Sequence, residues 1–337
     1  MSVAPLVVTM GEPAGIGGEI ALKAWLRLRH TGPAFFLIDD PARLARLAAK
    51  LGLVVPLVGI GEPAEAVAMF ASALPVLSVG SAILSDAGQF DGANSVGVVR
   101  SIDMAVAFAQ RGAARGVVTN PIHKSALYDA GFKYPGHTEY LAAKAGRGGP
   151  VVMMLACDEL RVVPVTIHVA LMEAVRSLTT DAIVAQATAT ADALRADFGI
   201  AQPRLAISGL NPHAGEGGAM GREEIEIIQP AIDHLMRLGL DVRGPLPPDT
   251  MFGARARARY DVAICMYHDQ ALIPIKTIDV DGGVNVTLGL DIVRTSPDHG
   301  TAIDIAGQGV AHPGSLLAAI KMADEIARAR YTSKGRV

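Results

Sequence analysis

Only two cysteines occur in 337 residues, aromatic side chains make up 4% of the chain, and there is one tryptophan. Cys157 and Cys265 both lie in apolar, strand-like runs, so they read as buried thiols of a reducing compartment rather than as a disulfide. No sign of charge dominates, since 30 Lys and Arg stand against 33 Asp and Glu. Without a basic block, nucleic acid and anionic membrane are excluded as general partners. No apolar segment approaches the roughly 20 residues that span a bilayer. Residues 1–10 lack the basic start and long apolar stretch of a secretory leader. The expectation is a cytoplasmic protein.

Half of the residues are hydrophobic and glycine is abundant at 36, which suits helices packed closely on a sheet. Short apolar runs rich in β-branched residues fall at 6–10, 35–38, 117–119, 151–156, 162–167, 204–208, 262–266 and 284–288. They read as strands, and stretches of helical period lie between them. Ile20, Ala24 and Leu28 share one helical face with Ala21 and Trp25. Thr180 is placed to cap a helix carrying Val184, Ala187, Ala191 and Leu194. Ile225, Ile228, Ile232 and Leu235 mark another, stopped by Gly239. The last helix comes after Pro313-Gly314, with Ser315 as its cap. Strand–helix alternation predicts a largely parallel sheet covered on both faces. Gly- and Pro-rich turns near Pro135-Gly136 and after Leu288 divide the chain into one subdomain of residues 1–135 plus 300–337 and a second of 136–299, with a cleft between them.

Three histidines come directly after predicted strands. His168 follows RVVPVTI, His213 follows RLAIS across a GLNP turn, and His268 follows VAICMY. In a parallel sheet these carboxyl ends share one edge, where ligands bind. Three neutral imidazoles with an open coordination position are a usual form of catalytic metal site. Spacing alone leaves open the alternative of three separate histidines, each satisfied by a local hydrogen bond. The segment GEPAGIGGE after the first strand lacks the G-x-G-x-x-G spacing of a dinucleotide fingerprint. It reads as a tight strand-to-helix turn, with anion binding by free amides of Gly15 to Gly18 as the alternative.

The segments GEPAGIGGE, TNPIHKSAL, PGHTEYLA, NPHAGEGGAMGREE, PLPPDTMF, MYHDQALIPIK and VNVTLGLDIVRTSPDHGTAIDIAGQG run in order from residue 11 to residue 309. Together they resemble the successive signatures of the 4-hydroxythreonine-4-phosphate dehydrogenase family of vitamin B6 biosynthesis. The resemblance implies an α/β/α sandwich like isocitrate and isopropylmalate dehydrogenases, with two subdomains and a cleft. It implies one divalent metal per subunit (Zn, Mg or Co) on His168, His213 and His268. Implied substrate contacts are His137, Thr138, Lys276, Asn285 and Arg294. By analogy with the related dehydrogenases, His299, Gly300, Thr301, Asp304 and Ala306 receive NAD, with NADP preference open. The implied assembly is a homodimer with a shared active site, in which the His268 segment reaches the partner's metal. The family's first signature usually has proline where Gly18 stands here, so the first helical turn is expected to be slightly looser.

The implied reaction oxidises 4-phosphooxy-L-threonine to 2-amino-3-oxo-4-phosphooxybutanoate, which loses CO2 to give 3-amino-2-oxopropyl phosphate. Lys276 is the candidate for proton transfer or carbonyl polarisation, with a plain phosphate counter-charge as its other role. Arg294 suits bidentate phosphate binding. Asp269 is placed to orient His268, or else simply faces solvent. His30, His234 and His312 read as structural, whereas His123, Lys124 and Asp249 are lesser candidates for lining the cleft. Alternative readings are a paralogue acting on 4-phospho-erythronate or 4-phospho-threonate, a three-histidine metallohydrolase, and a metabolite-binding protein without catalysis.

Overall fold

The computed structural model describes residues 4–123, 128, 134 and 137–333, with the backbone alone for His137, Thr138 and Ser333. The chain divides into two units, Met1–Arg147 with Leu290–Arg328, and Gly148–Gly289 with Ala329–Val337. The turn residues of the sequence put the boundaries elsewhere, at 135/136 and 299/300. In the structure the helix His137–Ala145 stays with the first unit, as does the strand Arg294–Pro297.

The first unit is built on β1 (Leu6–Thr9), β2 (Phe35–Asp39), β3 (Leu57–Ile60), β4 (Leu74–Ser78), β5 (Val117–Val118) and β12 (Arg294–Pro297). Their order is β3-β4-β2-β1-β5-β12, and every pairing within the unit is parallel. Strands buried on both faces read as continuous apolar runs, as in LVVT and FFLID. Its helices include α1 (Gly17–Leu28), α2 (Pro41–Lys50) and α3 (Ser95–Gln110). The fully buried Trp25 of α1 donates its indole N–H to the Phe70 carbonyl at 2.8 Å, and Phe70 packs edge-on against Phe35. Asp40 caps α2 by accepting from the Ala42 amide, with Pro41 at the first helical position.

The second unit contains β6 (Val152–Ala156), β7 (Arg161–Pro164), β8 (Arg204–Ser208), β9 (Asp241–Leu246), β10 (Val262–Cys265) and β11 (Val284–Leu288), in the order β11-β6-β7-β10-β8-β9. The run β7-β10-β8-β9 is parallel, whereas β6 pairs antiparallel with both β11 and β7. The expectation of a largely parallel sheet therefore holds with one antiparallel insertion, made by the tight turn between β6 and β7. Four strands escape the sequence pattern: β3, β4, β9 and β12. β4 and β9 contain proline, and β12 reads RTSP, a buried strand with almost no apolar signal.

The helices α4 (Thr180–Phe198) and α5 (Gln229–Arg237) fall where the helical period places them, except that Ile225 and Ile228 lie in a π-helical turn before α5, with Ile225 exposed. The helix α6 (His268–Ile278), with Pro274 inside it, escapes the sequence pattern, whereas α7 (Gly314–Ser333) follows it. Two caps differ. Thr179, not Thr180, caps α4 by accepting from the Ala182 amide, and the Thr180 hydroxyl instead donates to the Ile227 carbonyl. Ser315 lies inside α7, and its hydroxyl accepts from the Asp298 amide. No helix among the described residues is long and apolar enough to cross a membrane.

In the second unit the buried Asp197 at the end of α4 takes a two-pronged ion pair from the buried Arg330, at 2.5 and 2.8 Å. Removing one partner strands the other charge away from water. Asp197→Ala is therefore expected to cost about 3–5 kcal/mol in chemical denaturation. The double variant Asp197→Ala/Arg330→Met should lose clearly less, since no charge is left unpaired.

Candidate functional site

β7, β10 and β8 are adjacent and parallel, and a candidate histidine comes after the carboxyl end of each within five residues. His268 is the first residue of α6, directly beyond β10. The chain past β7 remains tied to the chain past β10, because Val165 N–H donates to the Cys265 carbonyl at 2.8 Å and the Thr166 hydroxyl to the Met266 carbonyl at 2.9 Å. This lacing sets the His168 and His268 ring centroids 5.7 Å apart. His268 Nδ1 lies 2.7 Å from an Asp269 carboxylate oxygen, which leaves Nε2 as its outward-facing nitrogen.

Gln270 extends the lacing to the third histidine. Its side chain is buried, accepts from the Met266 amide and donates to the Gly209 carbonyl, both at 2.7 Å. It thereby joins the chain beyond β10 to the loop that carries His213. Glu224 holds that loop from the other side. One carboxylate oxygen accepts from the Leu210 and Asn211 amides at 2.8 and 2.7 Å, and the other from the Asn211 side chain at 2.9 Å. Glu223 also accepts from Asn211, and its own backbone amide together with that bond holds its carboxyl below the usual range.

The loop so held is strained. His213, Ala214, Gly215, Glu216 and Gly217 all have positive φ, at 51°, 53°, 77°, 43° and 65°. A left-handed turn costs a non-glycine residue about 1–2 kcal/mol. A Cβ on Gly215 would come within 2.6 Å of a Glu224 oxygen, so the tight contact with Glu224 itself requires glycine there. His168 is left-handed as well, at φ 50°. Among the described residues the fifth non-glycine case is Ala302, in the candidate cofactor loop. Every such residue thus lies in a segment singled out for chemistry, as expected where surrounding contacts force a strained backbone at a working site.

The donor set of His168 and His268 fits a divalent ion, being two imidazoles, the commonest nitrogen ligands of such ions. The three histidines do not form a trio with donor atoms all within 4.8 Å of one another. Among the described residues that condition is met by Cys157, Glu159 and Asp279. That trio sits at the turn before β7 and the end of α6, so strand polarity places it at the sheet edge opposite the histidines.

The remaining candidates divide between the units. In the second, Lys276 is exposed in the last turn of α6, eight residues and so about 12 Å along the helix from His268. The Asn285 side-chain oxygen is buried with no hydrogen-bond partner. In the first unit, Arg294 on β12 is 3% exposed and donates to the Thr119 hydroxyl at 2.7 Å. Burial pulls its guanidinium pKa down to about 10. His299 turns Nδ1 to the Gly300 carbonyl, and its Nε2 is buried without a partner. Thr301 and Ala306 lie in the same loop, with Asp304 exposed on its short helical turn. His137 and Thr138 open the helix His137–Ala145, but their side chains fall outside the described residues, as does Lys124.

Of the lesser candidates, His123 packs its ring against Phe90 at 5.0 Å, and Asp249 is exposed on a short helix. His30, His234 and His312 are exposed, as a structural role would have it. The anion-binding alternative for GEPAGIGGE loses two of its four donors, the Gly15 and Ile16 amides. The Ala14 amide bonds the Glu12 carboxylate, Gly15 the Glu12 carbonyl, and Ile16 the Thr301 carbonyl. At Gly18, where the related signature has proline, the space is filled by Leu47 and Arg43, the former 2.8 Å from where a Cβ would stand. Sequence reasoning missed Gln270, Glu223, Glu224 and the buried Glu12. The only signal for Glu223 and Glu224 was their fixed place at the end of NPHAGEGGAMGREE.

The model of the family described as pyridoxal phosphate biosynthetic protein PdxA matches residues 33–323. A 4-hydroxythreonine-4-phosphate dehydrogenase of Caulobacter vibrioides is 52% identical over 98% of this chain and 99% of its own. One from Methylorubrum populi is 54% identical over 96% and 95%. The crystal structure of a 4-hydroxythreonine-4-phosphate dehydrogenase from Klebsiella pneumoniae superposes with a TM-score of 0.85 at 36% identity, covering 96% of this chain and 99% of that one.

Glu224→Ala should lower stability by about 2–3 kcal/mol in denaturant titration, since the two loop amides lose their buried acceptor. An unchanged midpoint would mean that the loop keeps its left-handed course without Glu224.

Proposed function

The chain belongs to the PdxA family of pyridoxal phosphate biosynthetic proteins and is an oxidoreductase of that pathway, and from that premise we propose that it oxidises 4-phosphooxy-L-threonine with NAD. The oxidised acid, 2-amino-3-oxo-4-phosphooxybutanoate, then loses CO2 to give 3-amino-2-oxopropyl phosphate. The observation that carries the reading is the placement of His168, His213 and His268 beyond three adjacent parallel strands, two of them in strained backbone. Membership of a dehydrogenase family sets aside the metallohydrolase and the non-catalytic binder.

His168, His213 and His268 would hold one divalent ion, with zinc or cobalt better suited than magnesium to imidazole ligands. When bound, such an ion acidifies the substrate hydroxyl and draws electron density from the carbonyl that forms, while NAD accepts the hydride. Asp269 fixes the His268 ring by holding Nδ1, which keeps Nε2 for coordination. Arg294 takes the phosphate. A guanidinium buried to this degree is poorly solvated, and a dianion restores what burial removed. The unpartnered Asn285 oxygen accepts from a substrate N–H or O–H, and its amide nitrogen can donate to an acidic group. His137 and Thr138 complete the substrate contacts on the family resemblance. Lys276 is given the proton transfer or the phosphate charge on the family resemblance alone, since it stands about 12 Å along α6 from His268 of its own chain. His299 directs its unpartnered Nε2 toward the dinucleotide, with Gly300, Thr301, Asp304 and Ala306 beside it. Two free, buried thiols suit a cytoplasmic setting.

The proposed assembly is a homodimer whose site takes ligands from both subunits. Val169, Leu171 and Met172 come just after His168 and are 50%, 61% and 63% exposed, and Ile273 of α6 is 64% exposed. An apolar surface of this kind beside an incomplete site suits burial against a second copy. The family resemblance implies that His268 crosses to the partner. That crossing stays the proposed arrangement, and Gln270 keeps the His213 loop of the same chain tied to the rim that carries His168 and His268.

NADH should appear on mixing enzyme, NAD and 4-phosphooxy-L-threonine, and disappear with a chelator. No NADH with any phosphorylated hydroxy acid would overturn the reading, and turnover only with 4-phospho-erythronate or 4-phospho-threonate would move it to that substrate. Arg294→Lys should raise KM for the substrate about tenfold and leave KM for NAD near wild type, because lysine lacks the planar fork. Mixing inactive His168→Ala with inactive His268→Ala protein should restore about a quarter of wild-type activity after subunit exchange, from random pairing of independent sites. No recovery after confirmed exchange would put both ligands in one chain.

A further inference from the structure

We propose that the glycine-rich segment after β1 and the first turns of α1 are a mount for the 301–311 loop, and that Gly15, Glu19 and Lys23 are positioning residues for the dinucleotide. The inference rests on the reading of that loop as the cofactor site. It gives a task to a signature that the proposed chemistry leaves unused.

The loop is gripped at both ends, within the first unit. At its start, the Ile16 amide donates to the Thr301 carbonyl at 2.9 Å. The approach is close enough that a Cβ on Gly15 would stand 2.8 Å from the Thr301 oxygen and 3.1 Å from the Thr301 side chain. At its end, Glu19 and Lys23 sit one helical turn apart on α1 and form an ion pair at 2.8 Å, with the Glu19 side chain 1% exposed. Glu19 accepts from the Ala311 amide at 3.0 Å and from the Gly309 amide at 3.4 Å. Lys23 donates to the carbonyls of the same two residues, at 2.8 Å to Gly309 and 2.7 Å to Ala311. One ion pair therefore binds both the donors and the acceptors of two loop residues.

The pair is charge-assisted and largely dry, so these bonds are stronger than neutral ones. Between the two grips lies Ala302, held left-handed at φ 43°. A strained residue inside a loop fixed at both ends indicates a shape set in advance of binding. A dinucleotide landing on a loop already ordered loses less entropy than one that must order it. Glycine at 15 and an acid–base pair at 19 and 23 therefore act on cofactor affinity without touching the cofactor.

Hydrogen exchange of wild-type enzyme with and without NAD comes first, then kinetics and melting of Lys23→Met, Lys23→Arg and Gly15→Ala. Protection of residues 298–311 by NAD supports the loop as the cofactor site; no protection overturns that reading and this inference with it. Given protection, Lys23→Met and Gly15→Ala should each raise KM for NAD about tenfold while kcat and KM for the phosphorylated substrate stay within about twofold. Lys23→Arg should recover most of the loss, and the 309 and 311 amides should exchange faster in Lys23→Met. Lower melting temperatures with KM for NAD unchanged would show the grip to be merely structural and would refute the proposal.

Discussion

The parallel pairing of β10 with β7 on one side and β8 on the other is the constraint on which the candidate site depends. Parallel strands bring their carboxyl ends to one edge, so three residues far apart in the chain become neighbours of one rim. One backbone bond and one from the Thr166 hydroxyl carry the pairing past the last strand residues and bring His168 beside His268. Gln270 then links that rim to the His213 loop. Break the register of β10 and all three imidazoles lose their common edge.

Strain is concentrated where this rim is built. The run from His213 to Gly217 keeps a left-handed course that its own residues disfavour, and Glu224 supplies the opposing force through three hydrogen bonds. A buried carboxylate that accepts from two amides and one side chain fixes a loop more firmly than packing alone, because charge-assisted bonds are directional and strong. The same logic appears in the first unit, where Glu19 and Lys23 hold the far end of the 301–311 loop. In both units an acidic residue on a helical segment shapes a loop bearing the candidate chemistry.

Much of this was legible in the sequence, because apolar strands bounded by turns leave a clear pattern and the three histidines come after three such strands. The fold class and the strand-end positions came from that pattern. β12 was not legible, since RTSP is buried for its polar contacts rather than for apolar area. Gln270, Glu224 and Glu19 were not legible either. Their role depends on partners up to 292 positions away, and nothing in local periodicity marks a carboxylate that will be buried against a distant amide. The glycine-rich segment reads from sequence as a tight turn with an anion site as alternative. Only the structure shows that the Ala14, Gly15 and Ile16 amides are already bonded within the protein.

Among the described residues of the second unit, two groups offer metal ligands at opposite edges of one sheet, and their chemistry differs in a way that a spectrum reads directly. X-ray absorption fine structure at the zinc edge, on enzyme loaded with one equivalent of zinc, reports the nearest scatterers. The account predicts imidazole nitrogens at about 2.0–2.1 Å with the ring-carbon pattern of several histidines and no sulfur. A sulfur scatterer at about 2.3 Å would place the ion on Cys157 instead and would contradict the central claim.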